Sequence, residues 1–391
     1  MMTPLAIAAT VRVLLFVVAD VGCNLVAPTR CSGALNIWSR MDGGWYVAIT
    51  QGGYSYSGPG QSSVNFFPLY PLAIYLVQPF AHLISYQSSY ILAGLVISWL
   101  AFTAACILLY RLALDRFDQS TAYGAVLLLA TFPFSFFYGA IYTESLYLAL
   151  VLAAFLGIER RRWWLAAGSS ALAGATRSPG IIVGVCVVLA YGLDWLRTRH
   201  PLRGDVLALA LVPLGSAAYL VYCWVHFHDP FVYVKANHIG WHGGQMQLGA
   251  TLMALHLLRH PMALLRGGYF VEVIRTASVV LLPLFVVALL PIARLLGLPY
   301  VIYALASLVL PLVVFSTVDG LGRYLSVIFP VFLVGAYALR NRPYLRDLIC
   351  ISGAAFLTVL TLMFVQGYYL PSCWMLVLES GCASTPACSV D

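Results

Sequence analysis

One carboxylate stands out in the stretch RMDGGWYVAITQGGY, residues 40–54, of a chain in which 9% of the residues are charged. Asp42 is surrounded by glycines and aromatic residues, a combination typical of a loop at a membrane edge. A carboxylate placed there could act as a general base that takes the proton of a hydroxyl group. It could instead be a helix N-cap, because an Asp before GGWYVAIT caps a short surface helix well.

A second acid, Glu144, lies in the stretch IYTESLYLAL. Its structural interpretation is again a helix start: Thr143 could be the cap, and an acid in the first turn interacts favourably with the helix dipole. Its chemical interpretation is a second acid of the same site. We expect Glu144 to orient an acceptor or to support Asp42, and not to be the base itself.

Two arginines have the right chemistry to hold a phosphate group. Arg323 lies in STVDGLGRYLSV, at the end of an apolar run. Its alternative role is an ion pair with Asp319, four residues earlier, worth about 0.2–0.5 kcal/mol. Arg177 lies between two apolar runs, where its side chain could simply extend to the membrane surface.

A third basic group lies in HDPFVYVKANHIGWHGGQ, residues 228–245. Lys235, His238 and His242 could contact a phosphate or a sugar, or belong to an ordinary polar loop. The spacing of these histidines fits a zinc site poorly, since such a site needs three or four ligands at a defined spacing. We therefore predict no metal site and no cofactor.

The composition indicates what must position these residues. Hydrophobic residues make up 62% of the 391 residues, whereas a soluble chain carries about 25% charged residues. Apolar runs of about 20 residues cross a bilayer as helices, and we count about eleven of them. They fall near 4–27, 88–110, 119–138, 143–159, 164–177, 179–196, 205–227, 269–291, 299–317, 324–340 and 347–369. Arg12 and Asp20 interrupt the first run, so we expect a membrane span there and not a signal peptide.

The arginines predict the orientation of these spans, because short cytoplasmic loops are rich in basic residues. Twelve of the 21 basic residues fall in five alternate connections: Arg111 and Arg116; Arg160, Arg161 and Arg162; Arg197, Arg199 and Arg203; Arg294; Arg340, Arg342 and Arg346. The N-terminus is then cytoplasmic, and Asp42, Glu144, Arg177 and Arg323 lie on the external or periplasmic face of the plasma (inner) membrane. External segments 28–87 and 228–268 and an external cysteine-containing tail, 370–391, complete a single transmembrane domain over residues 1–391.

Two segments allow more than one interpretation. Residues 164–196 are either two short helices separated near Arg177 and Pro179 or one long helix, and the downstream arginines favour two. Residues 65–84 are apolar but contain three prolines. A full span there would reverse every later loop, so we expect an interfacial or re-entrant helix.

Five stretches resemble, in chain order, the PIG-V-type mannosyltransferases of the GT-C glycosyltransferase superfamily. They are RMDGGWYVAITQGGY, NFFPLYPL (65–72), YTESLYLAL (142–150), RWWLAAGSSALAGATRSPG (162–180) and RYLSVIFPVFLV (323–334). The resemblance runs over roughly residues 36–335. It departs at Met41, where family members usually have Trp, and at Arg177-Ser178-Pro179-Gly180, where they usually have Arg-Pro-Thr-Gly.

The resemblance implies an all-α, polytopic, GT-C-like membrane protein with a helical first external loop. It also implies an enzyme that moves a hexose, usually mannose, from a polyprenyl phosphate to an acceptor hydroxyl that the sequence does not identify. Asp42 matches the family's catalytic acid, and Arg323, Arg177, Lys235, His238 and His242 are the candidates for holding the donor phosphate. The aromatic residues expected to line the substrate cavity are Trp45, Tyr46, Tyr70, Tyr142 and Tyr324.

Two other classes of protein remain open. A secondary transporter would use Arg12, Asp20, Glu144 and Arg177 along a substrate path, and a non-catalytic relative could be an assembly partner. A nucleic-acid partner is not expected, because no solvated face carries clustered basic residues. The external cysteines could be oxidised, and a bridge among Cys373, Cys382 and Cys388 is one possibility.

Overall fold

The computed structural model describes residues 3–26, 28, 31, 33–56, 58, 60–198, 204–240, 270–311 and 320–366. In these residues every regular element is a helix. The first eight α-helices are α1 (Pro4–Val26), α2 (Asp42–Gly52), α3 (Leu69–His82), α4 (Ser89–Arg116), α5 (Gln119–Ala130), α6 (Glu144–Glu159), α7 (Trp163–Thr176) and α8 (Gly180–Thr198). Seven more are α9 (Leu214–Phe227), α10 (Val232–Gly240), α11 (Phe270–Leu295), α12 (Leu298–Leu310), α13 (Leu321–Ser326), α14 (Phe329–Leu339) and α15 (Pro343–Val365).

Six helical stretches within the described ranges are long and apolar enough to cross a membrane. They are Pro4–Leu25, Ser89–Arg116, Gly180–Thr198, Gly204–Phe227, Thr276–Leu295 and Pro343–Val365. The other predicted spans contain shorter helices, from the 11 residues of α14 to the 16 of α6. The multi-pass helical class is confirmed, but the predicted number of about eleven spans is not.

The predicted break near Arg177 is confirmed, because α7 ends at Thr176 and α8 begins at Gly180. Pro179 disfavours a helical conformation at the residue before it and lacks a backbone donor. The two helices then pack so closely that a Cβ atom on Gly180 would lie 2.3 Å from the carbonyl carbon of Ala173. The break leaves Arg177 in an extended conformation between two helix ends.

The predicted span 119–138 is wrong in its second half. Helix α5 ends at Ala130, and residues 131–143, which we call the buried connector, run through the protein interior to α6. It contains one short 3-10 helix, Ser135–Tyr138, and several of its backbone carbonyls need donors from elsewhere. Side chains supply them: Trp99 Nε1 donates to the Gly139 carbonyl (3.1 Å), and Ser145 Oγ donates to that of Tyr138 (2.8 Å).

The first external segment is helical, as predicted, with α2 and α3 separated by an extended stretch. Helix α3 exposes an apolar face, Leu72, Tyr75, Leu76 and Phe80, and its interfacial or re-entrant position stays a prediction. A disulfide joins Cys23, near the end of α1, to Cys31 at the start of this segment, a pair that the sequence did not single out. The predicted tail bridges lie outside the described residues.

Ion pairs join α4, α6, α8 and the connection between α6 and α7 at the far end of α6, which we call the arginine end. Arg116 pairs with Glu159 (2.6 Å), Arg160 with Asp115 (2.8 Å), and Arg161 with Asp194 (2.8 Å). Glu159 is the last residue of α6 and Glu144 the first, so these acids are about 23 Å apart along the helix axis. Two distinct groups of acids and arginines therefore lie at opposite ends of one helix.

Candidate active site

Four charged side chains meet at the N-terminal end of α6, and we call them the acid–arginine cluster: Asp42, Glu144, Arg177 and Arg323. Arg323 donates from Nε to Glu144 Oε1 (2.7 Å) and from Nη1 to Asp42 Oδ2. Arg177 donates from Nη1 to the same Glu144 oxygen (2.7 Å). Four segments spread over most of the chain therefore come together as one hydrogen-bonded unit.

Asp42 enters the cluster from the start of α2. It is the first helical residue and not the N-cap, which is Met41, and no cap hydrogen bond from a side chain is present there. The interpretation of Asp42 as a helix cap is therefore wrong. Met41 has φ of 56°, a left-handed conformation that is uncommon for non-glycine residues and clusters at functional sites. This kink turns the start of α2 so that the Asp42 carboxylate reaches Arg323.

Glu144 is the centre of the cluster and is fully buried. It follows the buried connector as the first residue of α6, where the helix dipole favours a negative charge. Thr143 makes no capping hydrogen bond; its hydroxyl instead accepts one from Tyr46 (3.4 Å). Within the described residues, Glu144 Oε2 has no hydrogen-bond partner, because both arginines use Oε1.

Aromatic rings flank the two guanidinium groups. The Arg323 guanidinium carbon lies 4.7 Å from the ring centre of Tyr142 and 5.4 Å from that of Phe137. The Arg177 carbon lies 4.9 Å from the Tyr324 ring centre. Such contacts stabilise a cation that is partly removed from water. The two rings beside Arg323 also contact each other, with centres 5.1 Å apart, so they form one aromatic surface against the guanidinium group.

The charges of the cluster balance, with two carboxylates and two guanidinium groups. Its side chains are little exposed: 18% for Asp42, 16% for Arg323 and 9% for Arg177. Burying any one of these charges alone would be strongly unfavourable, and pairing offsets that cost. An anion that entered would find two guanidinium groups already turned toward one point, which suits phosphate recognition.

The close packing of Arg323 depends on the glycine before it. A Cβ atom on Gly322 would lie 2.3 Å from the ring of Phe134 in the buried connector. Only glycine therefore lets α13 lie this close to the connector. Asp319, the alternative ion-pair partner of Arg323, lies outside the described residues.

The aromatic residues predicted to line a cavity have different surroundings. Tyr142 and Tyr324 contact the arginines, as described above. Tyr70 is fully buried, and its hydroxyl bonds Ser98 (2.7 Å). Tyr46 packs edge-on against the Tyr70 ring. Trp45 is half-buried and stacks on Phe66, with ring centres 5.8 Å apart, so these three residues brace α2 against α3.

In the described part of the chain, no member of the third basic group contacts the acid–arginine cluster. Lys235 is 62% exposed and pairs with Asp229, six residues earlier on the same segment. The side chain of His238 and the whole of His242 lie outside the described residues. In the described part of the chain no group of three metal-ligating side chains forms, and the expectation of a metal-free site stays a prediction.

Two rings beside the arginines were missed by sequence reasoning. Phe137 lies against Arg323, and the ring centre of Tyr147 is 5.9 Å from the Arg177 guanidinium carbon. Tyr147 could have been found, because it follows Glu144 by three residues and so shares its helix face. Phe137 could not, because its segment was expected to be helical.

Comparison with known proteins assigns this chain to a family. Residues 17–228 match the family described as Mannosyltransferase (PIG-V), which is more than half of the 391 residues. The chain belongs to this mannosyltransferase family. The matched range holds Asp42, Glu144 and Arg177, while Arg323 lies beyond it and joins the cluster through the contacts seen here.

The relatives include two mammalian enzymes of the same name. GPI alpha-1,6-mannosyltransferase 2 of Mus musculus is 27% identical over 213 residues, 51% of this chain and 42% of that protein. The Rattus norvegicus enzyme of that name is 30% identical over 208 residues, 49% of this chain and 41% of the relative. The chain therefore matches about two fifths of the length of these curated relatives.

Among solved structures, a similarity to the Archaeoglobus fulgidus oligosaccharyltransferase complex with Zn and sulfate covers 94% of this chain and 53% of that one. The sequence identity is 14% and the TM-score 0.46. The oligosaccharyltransferase AglB from the same organism, in complex with an inhibitory peptide and a dolichol-phosphate, gives 13% identity and a TM-score of 0.43. It covers 97% of this chain and 58% of the other.

Proposed function

We propose that this protein is a GT-C-like membrane mannosyltransferase that moves a hexose from a polyprenyl phosphate to an acceptor hydroxyl with inversion at the anomeric carbon. One observation carries the proposal: the family's expected catalytic acid, Asp42, shares Arg323 with Glu144 in a cluster that contains a second arginine. A general base and a pair of phosphate-binding cations are the groups that this transfer requires.

In the proposed reaction the acceptor oxygen forms a bond to C1 of the sugar as the bond from C1 to the phosphate oxygen breaks. Asp42 receives the proton of the acceptor hydroxyl. The electron pair of the broken bond stays on the phosphate oxygen, where negative charge grows. Arg323 and Arg177 stabilise that charge, and because it is greatest in the transition state, their contribution raises the rate.

Glu144 has a supporting role in this scheme. Its Oε1 atom accepts a hydrogen bond from each arginine at 2.7 Å, so it holds two like charges near one point. It is fully buried, and a substrate hydroxyl would reach it only through the cluster. We therefore assign the proton transfer to Asp42, which is the more exposed acid.

The cluster would lie on the external face of the plasma (inner) membrane. The arginine bias of the loops supports this orientation, and so does the Cys23–Cys31 disulfide, because disulfides are typical of oxidising compartments. Labelling of single cysteines from outside the cell tests it. A cysteine at position 42 should react and one at position 161 should not, and the reverse result would contradict the orientation.

Transfer of mannose from polyprenyl-phosphate-mannose, measured with purified protein in lipid, tests the function. Asp42→Asn should lower the rate about 10²- to 10⁴-fold, the contribution of a positioned general base, while the folded yield is kept. Asp118→Asn is the matched control, since it removes a carboxylate at the arginine end and should leave the rate unchanged. A wild-type protein without transfer would favour a transporter or an assembly partner.

A further inference from the structure

The acid–arginine cluster holds its proposed base in an ion pair. Arg323 Nη1 contacts Asp42 Oδ2 while its Nε binds Glu144. While this contact is made, Asp42 Oδ2 is occupied by a guanidinium donor and not by an acceptor hydroxyl. The same guanidinium is the proposed ligand of the donor phosphate. Asp42 and the phosphate therefore compete for Arg323.

An incoming anion would not displace the two carboxylates of the cluster equally easily. Glu144 is fully buried and bonded to two arginines, so it cannot leave without exposing buried charge. Asp42 makes its contact from the first residue of α2, on the external segment, and is partly exposed. Displacement by an incoming anion would therefore fall on Asp42.

The charges of the cluster also favour displacement of Asp42. The four side chains sum to zero, and a phosphodiester donor adds one negative charge that the cluster must accommodate. If Asp42 swings away from Arg323, two guanidinium groups face one phosphate and one buried carboxylate. Asp42 Oδ2, no longer held by Arg323, would then be able to accept the proton of an acceptor hydroxyl.

We propose that a lipid-linked phosphate displaces Asp42 from Arg323, so that the donor binds first and its binding frees the base for the acceptor. This inference rests on the proposed function. It extends that function by assigning an order to the two substrates and a resting role to the Asp42–Arg323 pair, which keeps the base inactive until a donor is present.

Binding of undecaprenyl phosphate to protein in nanodiscs tests this order. Asp42→Asn should bind the lipid more tightly than wild type, by about fivefold or more, the usual size of coupling between linked sites. Arg323→Gln should bind it more weakly, and Asp118→Asn should match wild type. Equal or weaker binding by Asp42→Asn would overturn the proposal.

The transfer assay separates this inference from the proposed function. Asp42→Asn protein that is inactive but binds the lipid phosphate with unchanged affinity refutes the order and leaves the base assignment intact. Asp42→Asn protein that transfers mannose at the wild-type rate refutes the base assignment itself. Slow transfer together with tighter binding supports both.

A second, independent observation concerns Arg12, in the interior of α1. It is 3% exposed and forms no ion pair with any carboxylate in the described part of the chain. Its Nη1 donates to the Ser135 carbonyl (2.8 Å) and its Nη2 to the Ser135 hydroxyl (2.7 Å), over the ring of Phe102. A charged residue in a membrane span is costly and usually has a function.

Two series of contacts connect Arg12 with the acid–arginine cluster, one through Tyr138 and Ser326 and one along the buried connector. Tyr138, three residues after Ser135 in the buried connector, donates its hydroxyl to the Ser326 carbonyl (2.6 Å). The Ser326 hydroxyl donates to the Arg323 carbonyl (2.7 Å), and the connector leads directly into Glu144. The geometry assigns Arg12 the role of a positioning residue that fixes Glu144 and Arg323 relative to each other.

Turnover per folded molecule tests this role, with folded protein quantified by gel filtration. Arg12→Met should lower kcat about 10- to 100-fold, the penalty for misplaced catalytic groups, and Arg12→Lys should restore part of it because one donor to the Ser135 carbonyl remains. Ser135→Ala keeps that carbonyl and should lower kcat less than Arg12→Met does. It should also fold, and so remains available if Arg12→Met does not. Wild-type kcat per folded molecule in Arg12→Met would overturn the assignment. If that variant does not fold, wild-type kcat in both Arg12→Lys and Ser135→Ala would overturn it.

Discussion

The two ends of α6 use the same residue types for different purposes. At its last residue, Glu159 accepts hydrogen bonds from Arg116, and the side chains are 12% and 35% exposed. At its first residue, Glu144 accepts hydrogen bonds from Arg177, and the side chains are 0% and 9% exposed. Glu159 also accepts a hydrogen bond from the Tyr300 hydroxyl (2.7 Å), so this acid joins the ends of three helices.

Burial changes what an ion pair does. In each pair of the arginine end the arginine is 35–62% exposed, and a pair that water reaches in this way is worth about 0.2–1 kcal/mol. In the acid–arginine cluster the groups have lost most of their water and depend on one another. An arrangement that is costly to bury and tightly interdependent is expected where a site must bind an anion, and the arginine end needs only to hold helices in register.

The largest effect on stability should come from removing the central acid. Glu144→Gln leaves two buried guanidinium groups without their shared carboxylate, and we expect a loss of about 3–5 kcal/mol in the free energy of unfolding. Glu159→Gln should change it by less than about 1 kcal/mol. Unfolding in mixed micelles measures both, and equal losses would remove the distinction between the two ends.

Exchange of arginine for lysine should affect catalysis at one end alone. Arg323 uses Nε for Glu144 and Nη1 for Asp42, and a single ammonium group cannot reproduce this fork. Arg323→Lys should therefore lower kcat/KM about 10- to 100-fold, within the range seen when one preorganised donor is lost. Arg116→Lys is the matched control and should stay close to wild type. Similar losses in both would mean that the arginine end also supports turnover.

The smallest effect should come from a helix cap at the arginine end. Asp118 Oδ1 accepts a hydrogen bond from the Thr121 backbone N–H (2.8 Å) at the start of α5. Asp118→Ala should cost about 1 kcal/mol of stability, whereas Asp118→Asn, which also caps well, should cost less. Neither change should alter transfer activity per folded molecule, and a clear loss of activity would contradict the separation of the two ends.

The same cap predicts a weak pH dependence. The hydrogen bond from the Thr121 backbone N–H lowers the pKa of Asp118 from its ordinary value. A lowered folded-state pKa means that the stabilisation is complete above the unfolded pKa of about 3.9 and disappears as the pH falls through the folded value. Asp118→Asn should remove this contribution, which comparison of unfolding at pH 6 and at pH 3 would detect.

The sequence predicted the chemistry of the site better than its surroundings. Asp42, Glu144, Arg177 and Arg323 were recognisable because charged residues are rare in this chain, and Pro179 predicted the break beside Arg177. The buried connector was not predictable in this way. TFPFSFFYGAIYT is apolar at almost every position, so no periodicity distinguishes a helix from irregular buried chain. Its conformation depends on donors from distant residues such as Trp99, which local sequence does not contain.

The spacing of the cluster along the chain has a consequence for biogenesis. Glu144 and Arg177 are separated by 33 residues, whereas Asp42 and Arg323 are separated by 281. During synthesis the first pair can form as soon as α7 follows α6 into the bilayer, so Glu144 and Arg177 can neutralise each other early. Asp42 can pair with Arg323 only after nearly the whole chain has been synthesised, so α2 reaches its final contacts late. A nascent chain that stalls before residue 323 therefore presents an unpaired acid at the membrane surface, a feature that membrane quality-control proteases could recognise.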